Sequence, residues 1–441
     1  MIRWVWHKID HHFFEPAYIT DLSIIRTVIV FVQLSFLILS LFGISFGNHA
    51  GLLSLKAAVS FDIQEYSPVI ILKLFLLPFG WGVRPDIMFV YSIWITALIA
   101  GFTSLFGVYK KLSLFLFTAS CTILIAYAYS FKEQHHTEAI LILFLWVLVF
   151  GDNNRTWSID NLKKRIFASN IKMKFIPYDR YQKDVFSRWP VRVMQWLFVI
   201  VYFSAGLEKL KGGFNHYSMM LSMAKDGILF DRSIALWMAE NPLLLQVIAP
   251  VAVLFELTFP LVMLLPGITW VYVLIGSLFH FSIYIIHAPP FLHYIVLYIV
   301  FLEPVRNSWK KRFTSSKKLK WTIIYDGFCP LCVRSVTVID YLDFYKRFEY
   351  LDLERNWDVV QSRNYYIEQD DARRALYLIS SDGKKYQGFY AFRRLTLLIP
   401  LLLPLSPFLY IPYVDKAGNY LYSFVAANRK RKICTFDNCE L

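Results

Sequence analysis

The first 305 residues of the chain contain repeated apolar runs, and these runs are about as long as the roughly 20 residues that cross a bilayer. Hydrophobic residues make up 57% of the whole chain, against about 45–50% in a typical soluble domain. This pattern excludes a soluble monomer, a disulfide-stapled secreted module and a disordered chain. It predicts an α-helical polytopic membrane bundle in residues 1–305, a basic linker in 306–320 and a separate domain in 321–441.

Eight segments of the first region are predicted to span the membrane. They are residues 22–42, 86–107, 112–130, 137–151, 191–209, 243–265, 267–287 and 289–304. The shorter apolar stretch 68–81 contains Lys73 and is expected to be re-entrant or interfacial. Residues 1–20 mix aromatic side chains with His and Lys, which is typical of an interfacial helix rather than a cleaved signal peptide.

The formal net charge of +14 comes from Lys and Arg residues that cluster between the apolar runs. With the N-terminus inside, the segments 1–21, 108–111, 151–192 and 306–320 carry well over twice as many Lys and Arg residues as the outer segments. The positive-inside rule then predicts a multi-pass protein of the cell (inner) membrane with both termini cytoplasmic. Contact with anionic membrane lipid is expected. The chain shows no nucleic-acid-binding motif, so no nucleic-acid partner is expected.

The composition changes sharply after residue 320. The run WTIIYDG predicts a strand that ends in a turn, VRSVTVIDYLDFY a helix, RFEYLDLE a second strand, and ALYLISSDGKKYQ a hairpin that turns at Asp382-Gly383. The motif FCPLC stands between the first strand and the helix. A strand, a CxxC at a helix start, a second strand and a hairpin are typical of a thioredoxin-like α/β domain.

The spacing of Cys329 and Cys332 lets their sulfurs close a disulfide at the first turn of a helix. The helix N-terminus favours the thiolate of the first cysteine, and CxxC motifs lower its pKa from ~8.5 to as little as ~3.5–7. Pro330 fits the first helical turn because its missing N–H costs nothing there. We expect Cys329 to be the nucleophile and Cys332 the resolving thiol, both reduced at rest in a cytoplasmic setting.

Two other uses of these cysteines remain open. Cys434 and Cys439 form a Cx4C pair, and four thiolates would make a structural zinc site. The thiols would alternatively be inert. Redox chemistry is favoured over both, so no metal is expected. Cys121 stands alone in a predicted span and is expected to serve packing.

The segment YDGFCPLC resembles the DCC-type thiol–disulfide oxidoreductase family, which is named for its Asp-x-x-Cys-x-x-Cys motif. The matching residues here are Asp326, Cys329 and Cys332. The later segments GFYAFRRL and LYSFVAANR also resemble that family. The resemblance covers the C-terminal domain and implies a thioredoxin-like fold, without naming a substrate.

Ionisable residues at membrane depth are candidate functional residues because their burial is costly. Span parity places His136, Lys209 and His280 towards the outer side. Lys209 follows the small residues 204–206, which permit close helix approach. Burial disfavours the charged form of an amine, so Lys209 is a candidate general base.

Each of these residues also has a structural interpretation. Lys209 would be a snorkelling lysine or one half of an ion pair, with Glu208 as a candidate partner. His136 would be a hydrogen-bonded interfacial histidine, and His280 a packed one. Glu256, inside the sixth predicted span, has no obvious partner in the sequence and would form a helix-to-helix bond.

The segment YFSAGLEKL resembles the part of the vitamin K-dependent gamma-carboxylases that holds their catalytic lysine, and FGDNNRTWSID resembles another of their segments. The wider group is the HTTM family of membrane proteins, and the resemblance covers roughly residues 10–305. It implies that Lys209 is the catalytic lysine, that His136 and His280 lie near the active site, and that a quinone like vitamin K is the cofactor or substrate. Glu208 stands where that family has the first of two lysines.

The favoured interpretation is an integral membrane oxidoreductase that acts on a quinone-like substrate and is coupled to a cytoplasmic thiol–disulfide module. A thiol-redox partner is then expected. The alternatives are a membrane maturation factor for a secreted peptide and a non-catalytic receptor or transporter.

Overall fold

The structure is a computed structural model of the chain. It describes residues 2–41, 66–79, 84–131, 138–151, 157–179, 182–229, 231–286, 291–303, 321–363, 365–431, 434–435 and 438–439. The chain divides into two compact units, one of residues 1–160 and 180–306 and the other of residues 161–179 and 307–441. Each unit has its own hydrophobic core. The predicted linker 306–320 lies outside the described residues.

The first unit is helical, with one short pair of antiparallel strands. Its elements are α1 (Ile2–Phe14), β1 (Ala17–Tyr18), α2 (Ile19–Leu41), α3 (Ile70–Leu76), α4 (Ile87–Phe106), α5 (Lys110–Tyr129), α6 (Ala139–Phe150), the start of α7 (Ile159–Ile171), β2 (Lys183–Asp184), α8 (Arg188–Lys211), α9 (His216–Leu229), α10 (Ser233–Ala239), α11 (Pro242–Thr258), α12 (Leu261–Leu264), α13 (Thr269–Ile286) and α14 (Leu292–Leu297), with a 3-10 turn at Tyr298–Phe301.

Within the described residues, five helices are long and apolar enough to cross a membrane, or up to seven if each of two bent helix pairs counts as one span. One of the two pairs is α10 with α11, which meet at 100°, and the other lies in the second unit. The predicted sixth span, 243–265, corresponds to α11 and α12 without α10. The predicted fourth and eighth spans correspond to the shorter apolar helices Ala139–Phe150 and Leu292–Phe301. The first unit is therefore a polytopic helical membrane domain, and the number of eight spans stays a prediction.

A buried charge shows how this domain satisfies its polar groups. Arg26 on α2 is fully buried, and its Nη1 donates to the carbonyl oxygen of Ser104 at 2.7 Å. Its Nη2 donates to the carbonyl oxygen of Trp157 at 2.7 Å. The end of α4, marked by Gly107 in the left-handed region (φ +66°), supplies the carbonyl of Ser104. A cation at a helix C-terminus also complements the helix dipole.

The second unit is a mixed sheet with helices. Its elements after the linker are β3 (Trp321–Tyr325), α15 (Pro330–Leu342), β4 (Phe348–Asp352), α16 (Trp357–Ser362), α17 (Gln369–Arg374), β5 (Tyr377–Ile379), β6 (Lys385–Gln387), α18 (Phe389–Leu398), α19 (Ser406–Leu409), α20 (Val414–Asn428), β7 (Cys434–Thr435) and β8 (Asn438–Cys439). A 3-10 turn, Pro400–Leu405, joins α18 to α19.

The four-stranded sheet has the strand order β4-β3-β5-β6. The pair β3–β4 is parallel, and the pairs β3–β5 and β5–β6 are antiparallel. The predicted order of strand, helix, strand and hairpin is confirmed, and Gly383 at the hairpin turn has a φ of +84°. The assignment of a thioredoxin-like fold stays a prediction.

Residues 161–179 pack into this second unit, although the sequence suggested only a basic loop there. The backbone N–H of Tyr178 donates to Oδ2 of Asp340 at 2.7 Å, and the Tyr178 ring stacks on Tyr341 at 5.4 Å. Phe175 is buried in the core of the sheet, with its ring centroid 4.7 Å from that of Tyr350. The C-terminal domain thus takes part of its core from a segment far earlier in the chain.

Candidate functional site

The CxxC motif follows directly on the turn after β3. The backbone N–H of Phe328 donates to Oδ1 of Asp326 at 3.0 Å, which closes a short turn. A Cβ atom at Gly327 would lie 2.1 Å from a carboxylate oxygen of Asp352. Glycine is therefore required here so that the turn can lie against the end of β4.

Cys329 caps the N-terminus of α15, as the sequence predicts. Its backbone is extended (φ −102°, ψ 111°), and its Sγ accepts a hydrogen bond from the backbone N–H of Cys332 at 3.4 Å. Pro330 is the first helical residue. Both thiols are free. Cys329 is 0% exposed and Cys332 is 7% exposed, so a substrate reaches Cys329 only when the site opens.

The environment of the site shifts the pKa values of the two thiols in opposite directions from the ordinary cysteine value. The hydrogen bond with the Cys332 side chain, helped by the Cys332 backbone N–H and by the Arg429 guanidinium, lowers the pKa of Cys329 to about 6 although burial opposes this. The same hydrogen bond and burial raise the pKa of Cys332. At neutral pH the site therefore holds a thiolate at Cys329 and a protonated thiol at Cys332.

Two arginines that follow α20 complete the electrostatics of the site. Nη1 of Arg429 donates to Sγ of Cys332 at 3.2 Å. Nε of Arg431 donates to Oδ2 of Asp326 at 2.7 Å, which compensates the charge of a carboxylate that is 1% exposed. The sequence analysis assigned no role to either arginine. The available signal was the segment LYSFVAANR, which ends at Arg429.

Cys332 opens onto an apolar groove between α15, α18 and α20. The groove has a volume of about 300 Å³, and its lining includes Leu331, Phe389, Phe392, Leu421 and Val425. A second, larger cavity of about 820 Å³ has a mixed lining that includes Asp370, Arg373, Arg374, Asn419 and Arg431. Tyr422 and Arg429 line both. Arg429 therefore stands between an apolar and a cationic surface, next to the sulfur of Cys332.

A second group of candidate side chains lies in the membrane domain, on α8 and α11. Nζ of Lys209 donates to Oε1 of Glu256 at 2.5 Å. The Glu256 side chain is 4% exposed and that of Lys209 is 30% exposed. A Cβ atom at Gly206 would lie 3.0 Å from the side chain of Leu257 and 3.1 Å from its backbone N. The glycine one turn before Lys209 thus lets α8 approach α11 closely enough for this ion pair.

Glu256 is therefore the partner of Lys209, which the sequence analysis did not identify. The neighbouring Glu208 points elsewhere. Its Oε1 lies 3.5 Å from Nζ of Lys211, and both of these side chains are more than 70% exposed. The pairing with Glu256 depends on two residues that are far apart in the sequence, so no local spacing could have indicated it.

His280 on α13 is buried in a hydrogen-bonded chain of side chains. Its Nε2 is hydrogen bonded to the Tyr202 hydroxyl, which is also hydrogen bonded to the Tyr298 hydroxyl. A Cβ atom at Gly276 would lie 1.9 Å from the Tyr298 hydroxyl oxygen, so glycine makes the space for that hydroxyl. Nδ1 of His280 has no hydrogen-bond partner among the described residues.

Lys209 and His280 do not contact each other directly, but they share aromatic surroundings. Nζ of Lys209 lies 6.0 Å from the ring centroid of Phe279 and 5.7 Å from that of Phe214. The Phe279 ring in turn lies edge-on to the His280 ring at 5.5 Å. The third predicted residue of this site, His136, lies outside the described residues.

The described residues contain no group of three or more His, Cys, Asp or Glu side chains that could hold a metal ion. The backbone positions of Cys434 and Cys439 lie opposite each other in the pair β7–β8. Their side chains are not among those described, so their part in a zinc site stays an untested alternative.

Two family models match the chain, one over the membrane domain and one over the C-terminal domain. The HTTM domain model matches residues 37–309, and the model for DCC1-like thiol-disulfide oxidoreductase matches residues 323–435. An uncharacterised chloroplast protein of Arabidopsis thaliana is 31% identical over 96 residues, which are 21% of this chain and 44% of that protein. The chain thus spans less than half of the length of that relative. No solved structure matches the chain.

These matches agree with the resemblances carried by YFSAGLEKL and YDGFCPLC, and they support a membrane protein with a redox-related function. The chain belongs to the HTTM family, with a DCC1-like thiol-disulfide oxidoreductase domain fused at its C-terminal end.

Proposed function

We propose that the chain is a membrane-bound oxidoreductase that exchanges two electrons between the dithiol Cys329/Cys332 and a quinone-like, lipid-soluble substrate. The observation that supports this most strongly is the pair of diverging thiol pKa values at the start of α15, with Cys329 at about 6. A thiolate beside a protonated thiol is the arrangement that thiol–disulfide exchange needs.

The thiol half-reaction is an exchange with a substrate disulfide. The Cys329 thiolate attacks one substrate sulfur, the substrate S–S bond breaks, and the leaving sulfur takes up a proton. Cys332 then loses its proton and attacks the mixed disulfide, which closes the Cys329–Cys332 bond and releases the second substrate thiol. Arg429 stabilises the thiolate that develops on Cys332, because its Nη1 already lies 3.2 Å from that sulfur. One substrate disulfide becomes two thiols, and the chain's dithiol becomes a disulfide. In the coupled cycle this exchange runs in reverse: a substrate dithiol reduces the Cys329–Cys332 disulfide, and the regenerated dithiol gives its two electrons to the quinone.

The membrane half-reaction has matching stoichiometry, since reduction of a quinone to a quinol takes up the two electrons and two protons that one dithiol gives up. Phe214 and Phe279 near Lys209 offer aromatic walls to a flat ring. Nδ1 of His280 is available for a hydrogen bond, and His136 is proposed to help position the ring.

Lys209 is proposed as the group that exchanges a proton with the ring: it would donate a proton when quinone is reduced, and it would be the base that accepts one when quinol is oxidised. Its Nζ donates a hydrogen bond to Oε1 of Glu256. It therefore accepts a proton from a substrate only after passing its own proton to Glu256, whose Oε2 has no hydrogen-bond partner among the described residues. Carboxylation of glutamate, as in the vitamin K-dependent enzymes, would use the same base.

The predicted topology puts Lys209 near the outer face and the dithiol inside. Because the apolar core of a bilayer is about 30 Å thick, the two groups would not react directly. A carrier that diffuses within the membrane, or a soluble thiol partner, would connect them.

The test uses the full reduced chain in lipid nanodiscs and a fully substituted benzoquinone, which resists direct addition of thiols. Wild type is expected to form quinol and a Cys329–Cys332 disulfide in equal amounts, and Cys329→Ser neither. The double variant Lys209→Met/Glu256→Gln is expected to lose quinol formation while it still reduces a small disulfide, and the exposed control Lys211→Met should behave as wild type. Quinol formation by the double variant at the wild-type rate would contradict the proposal.

A second function, maturation of a secreted peptide, is favoured by the larger cavity, which contains several arginines and shares Arg429 with the groove at Cys332. Its arginines would bind an acidic peptide that carries the reacting disulfide. A Cys332→Ser variant should then trap such a peptide on Cys329 as a mixed disulfide, and an equally charged basic peptide should be trapped far less. Equal trapping of both peptides would count against this function.

A further inference from the structure

One surface of the C-terminal domain consists of large apolar side chains that are exposed. We define the apolar face as the side chains of Leu401, Leu403, Leu405, Phe408, Ile411 and Tyr413, which are between 46% and 76% exposed. From residue 399 to residue 414 the chain contains no Asp, Glu, Lys, Arg or His. Single exposed apolar residues are ordinary, whereas a contiguous patch marks an interaction site.

The local fold fixes the direction of this face. Helix α18 and the following helical segment Pro400–Leu409 are together apolar enough for a membrane span, but they are bent by 118°. Ala391, Leu395 and Ile399 of the first arm are buried in the core of the sheet. The first arm of the pair is therefore anchored in the domain. The segment after the bend presents most of its apolar side chains outward.

The rim of the apolar face has the composition of a membrane interface. The Arg393 guanidinium lies over the Tyr410 ring at 4.6 Å and over the Tyr390 ring at 4.9 Å. Lys416 lies near the ring of Tyr413. Tyrosines and cations around an aliphatic centre are typical of segments that lie in the headgroup region. The cations also complement anionic lipid headgroups.

The same chain contains the unit that spans the membrane, so lipid is close to the C-terminal domain. It passes from the first unit to the second between residues 160 and 161, returns between 179 and 180, and passes again between 306 and 307. The C-terminal domain is therefore covalently tethered to a membrane-spanning unit at three points, which raises the effective concentration of lipid around it.

We propose that the apolar face inserts into the headgroup region of the lipid bilayer and holds the dithiol domain on the membrane surface. This inference does not depend on the proposed reaction. Leu421 of α20, the helix that begins directly after the face in the chain, lines the groove at Cys332. Docking would therefore place the mouth of that groove close to lipid.

The test uses the full chain in nanodiscs of phosphatidylcholine and phosphatidylglycerol, with the photoreactive substitution Tyr413→benzoylphenylalanine. The matched control carries the same group at Tyr366, which is 89% exposed and lies outside the face. Illumination is expected to give at least about tenfold more lipid adduct at position 413 than at position 366. Equal lipid adducts at both positions would overturn the proposal.

Two charged substitutions then test the face itself. Burial of a Leu or Phe side chain contributes about 1.5–3 kcal/mol, so Leu401→Asp/Phe408→Asp should lower the lipid adduct at position 413 about tenfold or more. An unchanged pKa of Cys329 shows that the variant is folded. Adducts at position 413 that join mainly to this chain's membrane domain or to a second copy would instead assign the face to a protein partner and refute lipid docking.

Discussion

The dithiol site and the buried polar cluster of the membrane domain are built in different ways. Cys329 and Cys332 are brought together by one turn and the start of one helix. Lys209 and Glu256 meet because α8 and α11 pack closely at Gly206, and His280 joins Tyr202 from a third helix. A local site tolerates changes elsewhere in the fold, whereas a site built between helices is lost with their packing. The two sites should therefore respond differently to mutation.

The largest effect is expected from Cys329→Ser. Removal of the attacking thiolate should lower the rate of exchange with a small disulfide by about a thousandfold or more, as loss of a nucleophile does in other enzymes. The measurement is single-turnover exchange by the full reduced chain. The control Cys121→Ala removes a thiol that lies outside both sites and should leave the rate unchanged. Substantial exchange by Cys329→Ser would place the reactive sulfur elsewhere.

The next effect is on the stability of the membrane domain. Lys209→Ala leaves the buried carboxylate of Glu256 without its partner, which should lower the free energy of unfolding by about 3 kcal/mol. Thermal unfolding in detergent measures it. The exposed pair Lys211–Glu208 provides the control, and Lys211→Ala should cost less than about 1 kcal/mol. Lys209→Met/Glu256→Gln should recover most of the loss. A Lys209→Ala variant as stable as wild type would mean that the ion pair contributes nothing.

A smaller loss is expected from Gly276→Ala. The new methyl group would occupy the position of the Tyr298 hydroxyl, so Tyr298 must move and its hydrogen bond with Tyr202 is broken. Overpacking of this kind costs about 2 kcal/mol. Gly267→Ala is the matched control because a Cβ atom at that position would have no other atom within 4 Å. Equal melting temperatures of the two variants would show that the tyrosine pair is not tightly packed.

The smallest effect is expected from Arg429→Ala. The guanidinium favours the Cys329 thiolate, so its removal should raise the pKa of Cys329. Alkylation of Cys329 should then be slower near pH 6 and unchanged well above pH 9, where the thiol is ionised in either variant. Arg429→Lys keeps the charge and should restore most of the rate. An identical pH profile for Arg429→Ala would exclude an electrostatic role.

The sequence predicted the parts of this protein that depend on neighbouring residues. Around FCPLC, β-branched residues predict the strand, Asp326-Gly327 the turn and Pro330 the start of the helix. The structure contains all three elements. The helix-to-helix bond expected of Glu256 is present. Its partner Lys209 and the roles of Arg429 and Phe175 were missed because each contact joins residues that are tens or hundreds of positions apart. The number of eight spans stays a prediction: in the first unit, five helices and one bent pair qualify among the described residues, and hydropathy alone does not register that α6 is short.

The most direct test of the central claim is the pH dependence of alkylation at each cysteine of the full reduced chain, resolved by peptide mass spectrometry. The account predicts that Cys329 is alkylated first, with a midpoint at about pH 6, while Cys332 stays protected throughout this range. A Cys329 midpoint near 9, the unperturbed value, or earlier alkylation of Cys332 would contradict it.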